Sequence, residues 1–385
     1  MCSGVVTKPK IQILDAAEIP AEALAAFFRE VWDQGATAES VSTARQEEAG
    51  ANLAEPGVEV PTTVVLADDR VVGYCSTLPI ELWNGCVTQS GYWVKGLMVL
   101  PEYRNGPIGY LVLKKLVGQL GRSVALTVAR ASVRLFEALG YVNLGTVPNY
   151  VCILRPGRLA SKAPPAWLEN WLPDLIVPSI RFAQRSGLLG LCGGAIGLGV
   201  RALTGIYAIP QIGFAVDHSD QLPSSGDLDS LWLDARGGGW SGVARNARYL
   251  NHRYGRDRYH FVKVREGGAL RALAILRAPR KQNDDRVRGL SLGALSDLIV
   301  RQNDSRAAIA ATRGAAGLTR RLGGDALLAS TPSRWISRLL VGQAWIPMPG
   351  NLRFLVRETD PARSWPTSLD QWWLMRGDGE SDGAF

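Results

Sequence analysis

The chain has 385 residues, a length that suits two domains of roughly 150–200 residues each. Hydrophobic residues make up 46% and charged residues 20% of the sequence, and this composition excludes a disordered or fibrous protein. The net charge of +8 would suit anionic partners, but the basic residues form no long run and most are arginine. A thinly spread preference for arginine is the favoured explanation, and we expect no nucleic-acid partner.

Cysteine and histidine usage indicates the compartment and argues against a metal site. The five cysteines form no CxxC pair and the chain has only three histidines. This pattern is typical of reduced, buried thiols. We therefore expect a cytoplasmic protein with no metal.

Residues 1–155 alternate strand and helix patterns, and we interpret them as one domain. The predicted elements are a strand at Ile11–Leu14, a helix at Ala21–Trp32, a helical stretch near Val41–Asn52, a hairpin of Thr62–Leu66 and Val71–Leu78, a strand at Tyr92–Leu100, a helix at Gly109–Leu120, a strand at Val124–Val128, a helix at Ala131–Leu139 and a final strand or strand pair at Tyr141–Leu154.

Residues 156–206 are predicted to be a linker followed by an apolar bridge. Three prolines lie within Pro156–Trp171 and favour a linker there. The segment Ser186–Ile206 is apolar and rich in glycine, but its uncharged part is shorter than the roughly 20 residues that span a bilayer. It is either a bridge buried between domains or a peripheral membrane contact.

Residues 207–358 form a second α/β segment, and residues 359–385 an aromatic tail. The order of elements resembles that of the first domain and suggests a diverged duplication. The tail carries three tryptophans and a polar end, which we interpret as a packed strap with a frayed terminus. The predicted elements are strands at Tyr259–Val264, Leu270–Leu276, Leu290–Ile299 and Ala326–Ala329, and helices near Gly242–Arg253, Ser305–Leu322 and Arg334–Val341.

The run VKGLMVLPEYRNGPIGYLVLKKLVGQL, Val94–Leu120, predicts a strand, a loop and the start of a helix. That geometry directs backbone N–H groups and the positive helix end at one point, which suits a pyrophosphate. The run closely resembles the acyl-CoA loop of the GNAT acetyltransferase superfamily, written Q/R-x-x-G-x-G/A, and ASVRLFEALGY, Ala131–Tyr141, resembles its second block. The resemblance implies an α/β (α+β) GNAT-like fold in two tandem domains, each a mixed central sheet flanked by helices, with a degenerate C-terminal copy.

The resemblance also implies an acyl-CoA site in the N-terminal domain. The strand amides of Leu97, Met98 and Val99 would align the pantetheine as an extra strand. The pyrophosphate would be held by loop and helix residues, namely Arg104, Asn105, Gly106, Ile108 and Gly109.

Three residues depart from the family pattern. Pro107 stands where the family has its first glycine, and proline has no N–H to donate to a phosphate. Phe136 replaces the tyrosine that often serves as general acid, and Ala129 replaces a common asparagine. The scaffold is kept, while the usual proton donor is absent.

Candidates for acid–base and acceptor chemistry come from elsewhere in the chain. Glu81 is a candidate base and Tyr150 a candidate phenol donor, although a strand-end carboxylate and a core aromatic explain them as well. The string Tyr249–Tyr254, YLNHRY, resembles a YLNWRY-like string of tandem GNAT-like proteins encoded near bacterial polysaccharide genes. Its members Tyr249, His252, Arg253 and Tyr254 would grip a sugar or phosphate-bearing substrate, or else form an amphipathic helix.

The sequence thus predicts an acyl-CoA-dependent N- or O-acyltransferase, with acetyl-CoA as the default donor. The acceptor would be a small molecule or a saccharide, shaped by the C-terminal domain. Two alternatives remain. One is a non-catalytic GNAT-like binding or scaffold protein, favoured by Pro107 and Phe136. The other is a membrane-peripheral enzyme that acylates a lipid-linked saccharide.

Overall fold

A computed structural model describes residues 9–50, 52, 57–162, 213–255, 258–282, 287–360 and 365–383. The chain divides into two compact units that are interleaved along the sequence. Unit 1 comprises Met1–Leu82, Thr88–Gly145 and Arg353–Trp365, and unit 2 comprises Trp83–Val87, Thr146–Leu352 and Pro366–Phe385. The predicted apolar bridge at Ser186–Ile206 lies outside the described residues.

The first part of the chain builds most of unit 1. Its sheet has the strand order β1-β2-β3-β4-β5-β13, in which the last strand comes from far along the chain. The elements are β1 Ile11–Asp15, α1 Ala21–Val31, α2 Ala38–Gly50, β2 Thr63–Ala67, β3 Arg70–Trp83, β4 Thr88–Val99, α3 Ile108–Gly118, β5 Arg122–Ala125, α4 Val133–Ala138 and β6 Val142–Ile153.

The predicted elements of unit 1 are confirmed, and local sequence explains them. Helix α1 buries Leu24 and Phe27, which are three residues apart and therefore share one helix face. Asp68 and Asp69 both have positive φ, the conformation that a two-residue hairpin turn of matching twist requires. Helix α3 contributes Val112 and other apolar residues to the same core.

The remaining elements belong largely to unit 2, whose sheet has the order β6-β12-β11-β10-β9-β7. They are α5 Pro156–Lys162, β7 Ala215–Ser219, α6 Ser225–Ala235, β8 Ser241–Val243, α7 Ala247–Tyr254, β9 Tyr259–Glu266, β10 Ala269–Lys281, β11 Ser291–Val300, α8 Ser305–Arg321, β12 Ala326–Ser330, α9 Arg334–Gly342, β13 Ile346–Glu358 and β14 Trp372–Trp373.

The two sheets repeat the same strand pattern. In unit 1 the parallel pair β4–β5 has the register Tyr92↔Ser123 to Val94↔Ala125. In unit 2 the parallel pair β11–β12 has the register Leu292↔Ala326 to Ala294↔Leu328. A helix connects each pair, α3 in one and α8 in the other. Matching the last paired residues equates Val94 with Ala294, and this geometry reveals a duplication that the sequences only suggest.

Each parallel pair is completed by a strand from the other part of the chain. The end of β13 pairs antiparallel with β5, with Leu355 opposite Ala125. The end of β6 pairs antiparallel with β12, with Cys152 opposite Leu327. The two repeats have therefore exchanged their last strands, which explains why the compact units are interleaved.

The predicted linker begins with a helix, and one expectation about the tail is wrong. Pro156 opens helix α5, since proline at the first helical position costs no hydrogen bond, and the linker beyond Lys162 lies outside the described residues. The tail is a strap, as predicted, with Trp372 and Trp373 buried. Its polar end is not frayed, because Asp378 and Asp382 are buried as well.

Candidate acyl-CoA site

The site predicted from the loop begins where β4 separates from β5. The parallel pairing ends at Val94 and Ala125, whereas β4 continues to Val99. The last part of β4, which includes Leu97, Met98 and Val99, is only partly buried. A strand edge left open in this way offers amides and carbonyls to an extended ligand.

Gly96 bends β4 immediately beyond this separation. Its φ is +65°, and a glycine with left-handed backbone inside a strand is typical of a β-bulge. The equivalent position in unit 2, Ser296, also lies at an irregularity, because Asp297 pairs with Ile275 whereas Leu295 pairs with Leu276. Both repeats therefore break their central strand at the same place.

Replacing Gly96 with alanine should lower the free energy of unfolding by about 1–2 kcal/mol, the cost of a left-handed non-glycine residue. An added Cβ would meet no atom closer than 3.7 Å, so the effect is backbone strain alone. Urea denaturation measures it, with Gly118→Ala at the end of α3 as the control. Gly118 has open space and no positive φ, and its replacement should not destabilise the protein. Equal effects of the two substitutions would contradict the assignment.

The loop after β4 leads directly into the N-terminus of α3. Arg104 is exposed, and its Nε donates to the Val99 carbonyl at 3.1 Å, which holds the side chain beside the end of β4. The Gly106 N–H donates to the Tyr103 carbonyl at 3.1 Å and is thereby used within the loop. The amides that follow the exposed Pro107 are thus the ones placed to meet an anion.

The start of α3 has the features of an anion site. Its first backbone bond across the N-terminus runs from the Leu111 N–H to the Pro107 carbonyl at 2.9 Å. The amides of Ile108 and Gly109 precede that bond and point beyond the helix end. Pro107 makes no side-chain capping bond, and the first turn contains no acidic residue.

The N-terminus of the corresponding helix in unit 2, α8, is capped by a side chain of this protein. Asp304 is the N-cap of α8, and its Oδ1 accepts from the Ala307 N–H at 2.9 Å. The other carboxylate oxygen pairs with Arg271 at 2.8 Å. A carboxylate therefore holds the position that an anionic ligand would take, and this is the physical difference between the two repeats.

In unit 2 the C-terminal segment of the same chain bonds the strand edge where β11 and β12 separate. The Gly377 N–H donates to the Ser296 carbonyl at 2.6 Å, at the irregularity that matches Gly96. An added Cβ on Gly377 would lie 2.2 Å from the Tyr254 hydroxyl, so only glycine fits there. The C-terminal segment thus covers the edge of β11 in unit 2, and the equivalent edge of β4 in unit 1 stays open.

The residues predicted to grip a substrate lie beneath this segment. Tyr249, Arg253 and Tyr254 are almost fully buried, while His252 is partly buried. Arg253 donates to the Gly377 carbonyl and pairs with Asp382 at 3.1 Å. Of the two interpretations made from sequence, the structure favours the amphipathic helix, because α7 exposes Arg248 and Asn251 and buries its opposite face. Arg253 does not reach solvent from that face but joins an internal ionic network.

Arg245 is the centre of that network. It is 1% exposed and donates to both carboxylate oxygens of Asp297 at 2.9 and 3.0 Å. A third bond reaches Asp378 at 2.9 Å. Burial raises the pKa of Asp378 to about 6, although Arg245 acts in the opposite direction.

The two predicted acid–base residues lie in different units. Glu81 is a partly buried residue of β3 in unit 1. Tyr150 is 6% exposed within the core of unit 2, and its hydroxyl donates to Ser337 at 2.8 Å. Phe136 is a core residue of unit 1, packed edge-on against Tyr141 at 5.0 Å. The predicted absence of the family's phenol therefore leaves no polar group at that position.

Sequence reasoning missed a polar cluster at the point where β4 and β5 separate. Lys95 on β4 pairs with Glu48 on α2, with 3.0 Å between Nζ and Oε1. Tyr74 of β3 lies close to both charges, and burial raises its pKa to about 12. The signal was a lysine inside an otherwise apolar strand, GYWVKGLMVL.

Comparison with known proteins supports the interpretation of unit 1 as a GNAT-like domain. Residues 21–141 match the model of the acetyltransferase (GNAT) family. These residues are thus similar to a GNAT acetyltransferase domain. A search of curated protein sequences gives no match.

Solved structures with the GNAT fold extend the likeness to nearly the whole chain. A GCN5-related N-acetyltransferase from Anabaena variabilis is 12% identical with a TM-score of 0.55, over 91% of this chain and 73% of that chain. A probable N-acyltransferase from Enterococcus faecalis has 10% identity and the same TM-score and coverage. Saccharomyces cerevisiae N-myristoyltransferase is 11% identical with a TM-score of 0.54, over 95% and 90% of the two chains. At these identities the likeness establishes the GNAT fold.

None of the helices in the described ranges is long and apolar enough to cross a membrane.

Proposed function

We propose that the protein is an acyl-CoA-dependent N- or O-acyltransferase that binds its donor in unit 1. The acceptor is an amine or hydroxyl group on a small molecule or saccharide, and the acyl group passes directly from the thioester to it. Acetyl-CoA is the default donor. The fold alone leaves chain length open, because similar structures include an N-acetyltransferase and an N-myristoyltransferase solved with myristoyl-CoA.

The observation that carries this proposal is the difference between the two repeats. Unit 1 has an open β4 edge and an α3 N-terminus without a side-chain cap. In unit 2 the equivalent edge is bonded by Gly377 and the equivalent helix end is capped by Asp304. A single acyl-CoA per chain is therefore expected, with the pyrophosphate at Ile108 and Gly109.

Calorimetry and native mass spectrometry with acetyl-CoA and longer acyl-CoAs test the proposal. We expect one bound molecule per chain, and the preferred chain length identifies the donor. Binding without acyl transfer to any amine or hydroxyl acceptor would favour the scaffold alternative. The absence of binding, or a CoA seated on unit 2, would contradict the proposal.

Replacing Arg104 with alanine should weaken acyl-CoA binding by about 1–3 kcal/mol, the scale of a hydrogen bond to a charged group. The guanidinium lies beside the proposed pyrophosphate position and is oriented by the Val99 carbonyl. Calorimetry measures the change. Arg248→Ala is the control because Arg248 is an exposed arginine on α7 in unit 2, and we expect it to leave the affinity unchanged. Equal affinities for Arg104→Ala and the wild type would mean that the loop is vestigial.

A further inference from the structure

The acyl-CoA site proposed in unit 1 needs a proton donor that the family's usual residue does not supply. When an acceptor attacks the thioester carbonyl, the carbon–sulfur bond breaks and its electron pair goes to sulfur. The thiolate then needs a proton or a nearby cation. Phe136 can supply neither a proton nor a positive charge, and Tyr150 belongs to the core of unit 2.

The strand pairing indicates where the thioester must stop. The pantetheine of acyl-CoA would run from the α3 N-terminus along the open edge of β4. It can extend only as far as Val94, because β5 pairs with β4 from there on. Lys95 is the first residue beyond that last pair. Its side chain is about one-fifth exposed, and its ammonium lies 3.0 Å from the Glu48 carboxylate.

The repeat provides an internal comparison for this position. The register that equates Val94 with Ala294 equates Lys95 with Leu295, which is fully buried. The same strand position therefore accepts an apolar residue in unit 2, where the chain's own C-terminal segment bonds the strand edge. The lysine is present in the repeat whose strand edge stays open.

We propose that Lys95 is the catalytic acid of the transfer proposed above and that Glu48 positions its ammonium. The acceptor atom forms a bond to the carbonyl carbon, the carbon–sulfur bond breaks, and Lys95 donates a proton to sulfur. The neutral amine of Lys95 then takes up the proton that the acceptor loses, so the lysine is regenerated. An ammonium and a phenol release protons in about the same range, near pH 10, so lysine can replace the family's tyrosine.

The test needs no acceptor, because it uses CoA with its free thiol. In the complex with the full chain, the thiolate is titrated by its ultraviolet absorbance. A cation within contact distance favours the charged form. We therefore expect the thiol pKa of bound CoA to lie about one unit below that of free CoA, a tenfold shift toward thiolate.

Matched variants separate a catalytic from a structural role. Lys95→Arg should keep the shift because its charge remains, but it should lose acyl transfer because arginine does not release its proton. Lys95→Met should abolish the shift, and Glu48→Gln should reduce it because the ammonium is no longer held. Lys115→Met, an exposed lysine on α3, should leave it intact. If Lys95→Met binds CoA and shows the wild-type shift, this inference is overturned while the proposed function stands. If the wild type binds no CoA, both fail.

Discussion

Replacing Arg245 with methionine should lower the free energy of unfolding by about 3–5 kcal/mol, the cost of leaving buried charges without their partner. Arg245 is bonded to Asp297 and Asp378, and all three side chains are at most 1% exposed. Methionine fills much of the same volume but brings no charge. Urea denaturation measures the loss, and hydrogen exchange at the amides of β11 localises it to unit 2.

A surface arginine is the matched control for that experiment. Arg70 pairs with Glu30 and Glu102 at 2.7 and 3.0 Å, yet each of these side chains is about half exposed. Exposed pairs of this kind contribute at most about 1 kcal/mol, so Arg70→Met should have a small effect. If Arg245→Met were as mild as Arg70→Met, the network would be a dispensable feature of the fold.

Most of the secondary structure of both repeats could be predicted because its signals are local. In the second repeat α6, β7 and β8 were missed, and the helix expected near Gly242–Arg253 begins only at Ala247. The hairpin turn at Asp68 and Asp69 and the apolar face of α3 are set by neighbouring residues. The exchange of β6 and β13 could not be predicted in this way. Strand partners such as Ala125 and Leu355 are far apart in the chain, and nothing in either segment records which strand it joins.

The C-terminal network was misread for a related reason. Asp378 and Asp382 look like a solvated tail, and Arg245 and Arg253 look like a basic surface. A charged side chain is costly to bury alone, so Asp378 and Asp382 were assigned to a frayed end and Arg253 to a substrate-binding or amphipathic cluster. Only the fold brings the arginines and the aspartates together, and once paired, both kinds of residue are buried in the core.

The part of the candidate site that lies in one continuous segment could be predicted from the sequence. The part that combines residues from separate elements could not. The run from Leu97 to Gly109 is one strand, one loop and one helix start, and the structure places it so. Lys95 and Glu48 come from separate elements. Their pairing depends on how α2 lies over β4, which no local pattern encodes.

Replacing Pro107 with aspartate should reduce acyl-CoA affinity at least a hundredfold, which is about 2.8 kcal/mol. The substitution copies unit 2 into unit 1, because the Asp304 carboxylate accepts from the N–H three residues later and the same spacing leads from residue 107 to Tyr110. The new carboxylate would bond the Tyr110 amide, beside the Ile108 and Gly109 amides that face the phosphate, and would repel the phosphate charge. Calorimetry with acetyl-CoA measures the loss.

Two further substitutions at Pro107 separate charge from backbone effects. Pro107→Asn caps the same amide without a charge and should lose about tenfold, whereas Pro107→Gly should change affinity by less than tenfold, because the gained N–H is offset by a looser loop. The stability of Pro107→Asp should stay within about 1 kcal/mol of the wild type, since a capping bond of that size replaces the rigidity of proline. Its lost affinity is then not a loss of folding. If Pro107→Asp binds acetyl-CoA as well as Pro107→Gly does, the α3 N-terminus does not hold the pyrophosphate, and Asp304 is not what closes the second repeat.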